Sequence, residues 1–228
     1  MKLKITVPTS LNEITLEKYQ KFLQIAKDNP DGDFLQHKMV EIFCNIDLKN
    51  VAKISYKDVN EITTNLSNLF TQNFELKRTF KLGNTEFGFI PNLDEITLGE
   101  YTDLDKYITN WDMMNNAMAV LYRPITNKVK DKYQIEDYNG SYTYCDVMKY
   151  APVDVVLGAV VFFYRLGNEL LKSTVHYLEN NKEFQNIANN HNLEVNGVGI
   201  HHSMLLLKEM LEDLTIFPNL DYQLPLHT

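Results

Sequence analysis

The sequence predicts a mainly α fold with one small antiparallel β-sheet, an α+β arrangement. Three observations carry that expectation. Apolar residues recur at i, i+3, i+4 spacing over most of the chain, which is the signature of amphipathic helices. Between residues 73 and 90 that period breaks, and two short apolar runs flank Gly83-Asn84, which is hairpin patterning. The chain also carries 12 Phe and 13 Tyr in 228 residues, far more aromatic surface than a disordered chain holds. Residues 1–228 read as one compact domain with a Tyr-rich excursion at 126–150 and an extended tail at 217–228.

The elements follow in order. Residues 3–7 alternate as a short strand that Pro8 ends. Thr15 is a candidate N-cap for a helix over 16–27, with Tyr19, Phe22, Leu23 and Ala26 on one stripe. Asn29-Pro30-Asp31-Gly32 is a turn, followed by a helix over 34–44 and, with Ser55 as cap, another over 57–70. The 74–90 hairpin comes next, closed by Pro91. A helix is expected over 103–122, with Leu104, Tyr107, Trp111, Met114, Met118 and Leu121 on or near one face and Pro124 as its stop. Residues 126–150 are polar and hold Tyr133, Tyr138, Tyr142, Tyr144 and Tyr150, with a short strand over 133–135. Pro152 suits the first position of a long helix over 153–180. Short helices over 183–190 and 202–214 complete the chain.

One internal echo stands out. Leu11-Asn12-Glu13-Ile14-Thr15-Leu16-Glu17-Lys18-Tyr19 matches Leu93-Asp94-Glu95-Ile96-Thr97-Leu98-Gly99-Glu100-Tyr101 at six of nine positions, 82 residues apart. Each copy follows a short strand and a proline. In each, the threonine caps a helix, the isoleucine before it can act as the staple, and the tyrosine packs from the first turn. A local cap that arose twice, a duplication of halves and a pseudo-symmetric docking unit all fit. Two such junctions would set strand 3–7 beside the hairpin.

Composition narrows function. Asp plus Glu number 30 against 22 Lys plus Arg, a formal net charge of -8, and no basic cluster occurs, so sequence-specific nucleic-acid binding is not expected. The longest apolar run, Val155 to Tyr164, falls well short of the roughly twenty residues a bilayer span needs. Met1 to Pro8 holds no apolar core of a signal peptide. Cys44 and Cys145 read as reduced thiols.

Catalytic signatures are missing, and no enzyme activity, cofactor or metal is expected. His201 and His202 are adjacent and do not share a helix face, and no His-Glu-x-x-His or Cys-x-x-Cys spacing occurs. Asp94, Glu95 and Glu100 lie where carboxylates favour a helix N-terminus, which accounts for them without chemistry. Trp111, Met114 and Met118 suit either a core or an adaptable face for a partner. Tyr122-Arg123-Pro124 places an arginine at a helix end, where it can meet the last carbonyls, a carboxylate or a tyrosine ring. A buried arginine joint between that helix and the Tyr-rich excursion is the preferred reading. The candidate structural or partner-binding residues are therefore Thr15, Thr97, Tyr101, Trp111, Met114, Met118, Tyr122, Arg123, Tyr133, Tyr138, Tyr142 and Tyr144, with 133–150 as the expected docking surface.

Phe89 to Asp105, Met118 to Ile125 and Pro152 to Gly167 resemble a family of small proteins of tailed phages infecting Bacteroidetes, crAss-like phages among them. The likeness spans roughly residues 85–170. It implies a place among virion and tail proteins and no catalytic residues. The expected function is a non-enzymatic virion component: a ring, adaptor or cargo protein of the capsid or tail. Such a protein would contact other phage structural proteins, self-associate in many copies and assemble in the host cytoplasm. The alternative is a cytoplasmic tail-assembly chaperone that binds an apolar helix of the tape measure protein.

Overall fold

The computed structural model describes residues 5–29, 32–180 and 205–212, with side chains of the long helix described to residue 173. The α+β expectation holds: among the described residues, helices dominate and one four-stranded antiparallel sheet is present.

Helix α1 (Leu16–Asp28), α2 (Gly32–Phe43), the one-turn α3 (Leu48–Val51) and α4 (Tyr56–Leu69) pack as a helical layer. Cap chemistry sets two of the starts. The Thr15 hydroxyl accepts from the Lys18 N–H at 3.4 Å, and the Ser55 hydroxyl accepts from the Asp58 N–H at 3.2 Å. The inward stripes meet as rings: Tyr19 stacks near Phe70 at 5.7 Å and meets Trp111 edge-on at 4.9 Å, and Phe22 lies 5.2 Å from Phe43.

Strands β1 (Thr79–Leu82) and β2 (Thr85–Phe89) form the expected hairpin, turning at Gly83, whose φ of +57° favours glycine. Their neighbour is not strand 3–7. Residues 5–7 take no strand, and Ile5 and Val7 lie half-buried against the core instead; residues 3 and 4 fall outside the described part. The strand beside β2 is β3 (Tyr122–Val129), which pairs Gly88 with Arg123 and Phe89 with Tyr122. Strand β4 (Lys132–Ile135) follows through a tight turn in which Lys130 has φ +54°. Within residues 126–150, the end of β3 and all of β4 belong to the sheet, and a 3-10 turn (Ser141–Thr143) and the one-turn α7 (Cys145–Met148) follow after a loop.

The expected helix over 103–122 is three pieces: α5 (Leu98–Tyr107), a 3-10 turn (Trp111–Met113) and α6 (Met114–Leu121). Asn110 causes the break, because its side chain accepts from the Asp112 N–H at 2.9 Å and starts a new turn. Pro124 does not stop a helix; it sits within β3. Its carbonyl accepts from the Glu136 N–H at 3.0 Å, so its missing N–H falls on the β4 side, next to the register shift at Ile125/Asn127.

Helix α8 (Val153–Asn180) has the expected bounds. Pro152 stands one position earlier than expected: its carbonyl accepts the first helical bonds, from Val155 and Val156. Residues 153–160 run through the core, and Phe162 and Phe163 pack on Phe89 of the sheet. Gly158 permits this passage. A Cβ there would fall 2.3 Å from the Glu75 carbonyl oxygen. The 183–190 helix and the 217–228 tail lie outside the described residues; of the 202–214 helix, 205–212 is helical as expected.

Candidate functional site

Thr97, Arg123 and Tyr138 converge, with Glu100, where α5, the end of α6 and the sheet meet. Thr97 caps α5 in a capping box: its hydroxyl accepts from the Glu100 N–H at 3.2 Å, and Glu100 Oε2 accepts from the Thr97 N–H at 2.8 Å. The other oxygen of Glu100 meets Arg123 Nη1 at 2.5 Å. Both side chains are over nine-tenths buried. Arg123 also donates to the Val120 carbonyl at 3.2 Å, and its guanidinium lies over the Tyr138 ring at 5.5 Å. This is the arginine joint that the sequence predicts, tying the end of α6 to the first turn of α5 and to the segment after β4.

Burial pushes the Glu100 carboxyl up, but the hydrogen bonds from Thr97 and the charge of Arg123 outweigh it and hold the carboxyl below its ordinary value. Around this centre, tyrosine hydroxyls close further links. Tyr138 donates to Asp103 of α5, and Tyr144 donates to Glu136 after β4. Burial, then the carboxylate partner, pushes both phenols up, Tyr144 to about 12. Tyr133 lies across Gly88, where a Cβ would fall 2.5 Å from its ring, and donates to the carbonyls of Phe89 at 2.9 Å and Arg78 at 3.1 Å. An open groove of about 1010 Å³ runs beside the joint, lined by Pro91, Glu95, Arg123, Tyr133, Asp137 and Tyr138 among others.

The other candidates fall elsewhere. Trp111, Met114, Met118 and Tyr122 are fully buried, so they are core and not an adaptable face. Trp111 Nε1 donates to the Met210 carbonyl at 3.2 Å, fastening the helical segment 205–212, and the Tyr122 hydroxyl donates to the Lys77 carbonyl at 2.7 Å. Thr15 caps α1, and its junction is paired through backbone hydrogen bonds with residues 149–153. Tyr101 and Tyr142 face solvent, at 59% and 77% exposure, and Tyr150 does so at 60%. The expected docking surface at 133–150 is therefore divided. Tyr133, Tyr138 and Tyr144 are held internally, while Tyr142 and Tyr150 point out.

Sequence reading missed the Glu100–Arg123 pair and the roles of Asp103, Glu136 and Gly88. The Thr-x-x-Glu spacing at 97–100 was the legible signal for the capping box; nothing local tied Glu100 to a residue in β3. Among the described residues no group of three or more His, Cys, Asp or Glu side chains is placed to hold a metal ion, and no helix is long and apolar enough to cross a membrane.

The two thiols differ in environment. Cys44 is buried, and loss of hydration pushes its thiol up to about 11, while Cys145 is partly exposed. A thiol reagent at pH 8 should modify Cys145 readily in the native protein and reach Cys44 only after denaturation. Equal native rates for both would contradict this placement.

No family model, no curated protein and no solved structure matches the chain.

Proposed function

We propose that the protein is a non-enzymatic component of a tailed-phage virion, a ring, adaptor or cargo protein present in many copies. The observation that carries this reading is the division of labour around the arginine joint. Its charged and hydroxyl groups are engaged with one another, in Glu100–Arg123, Tyr138–Asp103 and Tyr144–Glu136. Among exposed polar neighbours such as Glu95, Asp105 and Asp137, four large apolar or aromatic side chains face outward nearby: Leu98 and Tyr101 on α5, and Tyr142 and Tyr150 flanking α7. A rigid polar centre with such side chains at its rim suits packing against a neighbour, because aromatic rings with polar tips give contact area at low entropic cost. The net charge of -8 suits a surface past which DNA moves without adhering. The likeness of residues 85–170 to virion-region phage proteins points the same way.

Mass spectrometry of purified phage particles tests the reading. Peptides of this chain, in amounts comparable with other minor structural proteins, are the expected result. Their absence from particles, with the chain recovered from host cytoplasm on the tape measure protein, would assign it to tail-assembly chaperones instead.

A further inference from the structure

Strand β4 ends the sheet on one side, and its outer edge is open. Val129 and Lys132 flank a two-residue turn, so they form a hydrogen-bonded pair, and the bonding alternates from there along β4. Lys132 and Gln134 turn their backbone groups toward β3, and Tyr133 and Ile135 turn theirs away. This phase is fixed by the Gln134 carbonyl, which accepts from Thr126 Oγ1 at 3.4 Å, and by the Glu136 N–H, which donates to the Pro124 carbonyl at 3.0 Å. Among the described residues no strand pairs with the far side of β4, and no backbone group bonds to the outward amides and carbonyls of Tyr133 and Ile135.

The charges along this edge are ordered. Lys132 stands at one end of β4 and Glu136 just past the other, with the uncharged Gln134 midway. By alternation all three lie on one face of the sheet. Lys132 and Gln134 are exposed, and Glu136 is half-buried with one oxygen on Tyr144, which leaves the other for a cation. The opposite edge of the sheet has no such order: Lys77, Arg78 and Lys81 lie on or beside β1 with no carboxylate among them, so a second copy there would meet like charge.

We propose that β4 is a self-docking edge, where a second copy of this chain adds its own β4 antiparallel across a two-fold axis at Gln134. The outward groups set the register. Tyr133 and the partner's Ile135 exchange both bonds, as do Ile135 and the partner's Tyr133, which makes four backbone hydrogen bonds. Gln134 meets the partner's Gln134 on the axis. Lys132 stands opposite the partner's Glu136, and symmetry repeats that ion pair. Sliding the strands by two residues, the next register that keeps the backbone bonds, loses both ion pairs. Asp131 and Asp137, the next residues out, fall in the turn and after the strand, off the ladder. An edge lysine ordinarily discourages pairing, but one set against a carboxylate selects a copy of the same edge. This gives the many-copy association a surface, yet it stands on the sheet edge alone and needs no virion.

Purified protein in solution tests it, apart from any particle. In a Cys145→Ser background, Gln134→Cys is compared with Asp131→Cys. Opposed residues that share no backbone bonds have Cα atoms about 4.5 Å apart, within disulfide range, whereas two copies of residue 131 would be roughly 20 Å apart. Under mild oxidation Gln134→Cys should form the covalent dimer at least about tenfold faster, after correction for each thiol's rate with a small disulfide. In sedimentation velocity the unaltered chain should pass from one copy to two as concentration rises. Lys132→Glu sets glutamate against glutamate and should weaken that dimer at least about tenfold. Should Lys132→Glu lower the urea midpoint, the cysteine comparison decides. Equal crosslinking at 134 and 131, a chain monomeric at every concentration, or a dimer indifferent to Lys132→Glu overturns the proposal. Association that continues past the dimer also overturns it, by assigning the β4 edge to head-to-tail pairing with β1.

Discussion

Arg123→Met should destabilise the protein by about 3 kcal/mol, measured by urea unfolding at pH 7. The substitution keeps the side-chain volume but leaves the buried Glu100 carboxylate without its cation, and removing one partner of a buried pair typically costs about 3–5 kcal/mol. The lower end applies because Glu100 keeps both bonds from Thr97. The double variant Glu100→Gln/Arg123→Met should be less destabilised than the sum of the single changes, since neither residue then leaves a lone charge inside. Additive effects would show that the two side chains do not act as a pair.

The same pair sets an acid dependence. The Glu100 carboxyl is held below its unfolded value, so its contribution is fully present above that value and is lost as pH falls through the lower, folded one. The stability gap between the native chain and Glu100→Gln should therefore be widest at neutral pH. It should shrink as pH drops below about 4.5, the ordinary glutamate range. A gap that stays constant from pH 7 to pH 3 would contradict the assignment.

Gly158→Ala carries the second large expectation. In a helix interior this change usually stabilises, by up to about 1 kcal/mol, through propensity and a restricted unfolded chain. Here the added Cβ would stand 2.3 Å from the Glu75 carbonyl oxygen and 3.0 Å from its carbon. Both are backbone atoms, so relief requires moving α8 or the segment that leads into β1. We expect a loss of about 2–3 kcal/mol, the range of core overpacking. Gly99→Ala is the control: its nearest neighbour is the Tyr138 ring at 3.6 Å, an ordinary contact, so propensity should prevail and stability should hold or rise. Equal behaviour of the two variants in a urea titration would contradict the close approach at Gly158.

Much of the helical layer was legible because its signals are local. The stripe of Tyr19, Phe22, Leu23 and Ala26, the caps at Thr15 and Ser55 and the Gly83 turn each depend on residues within a few positions. The 103–122 region failed for an equally local reason that hydrophobic spacing conceals. Trp111, Met114 and Met118 keep helical period across a chain that Asn110 has already broken. Pro124 follows a helix and resembles a stop in the sequence, but the sheet has room for it on the side where β4 shifts register.

The arginine joint was half legible. A helix-end arginine near a run of tyrosines pointed to Arg123 and Tyr138, but Glu100 had a sufficient local role as a capping residue, and its second oxygen gave no sign in the sequence. What the sequence determined by itself is where the chain turns, caps and coils, together with two nearly identical strand-to-helix junctions. Only the tertiary structure decided that one junction is core and the other surface. The α7–α8 connection carries residues 149–153 onto the backbone of Ile14 to Glu17, and Phe70 and Trp111 enclose Tyr19, whereas Leu98 and Tyr101 stay exposed. Burial depends on what long-range packing brings alongside, and two copies of one motif carry no information about their neighbours.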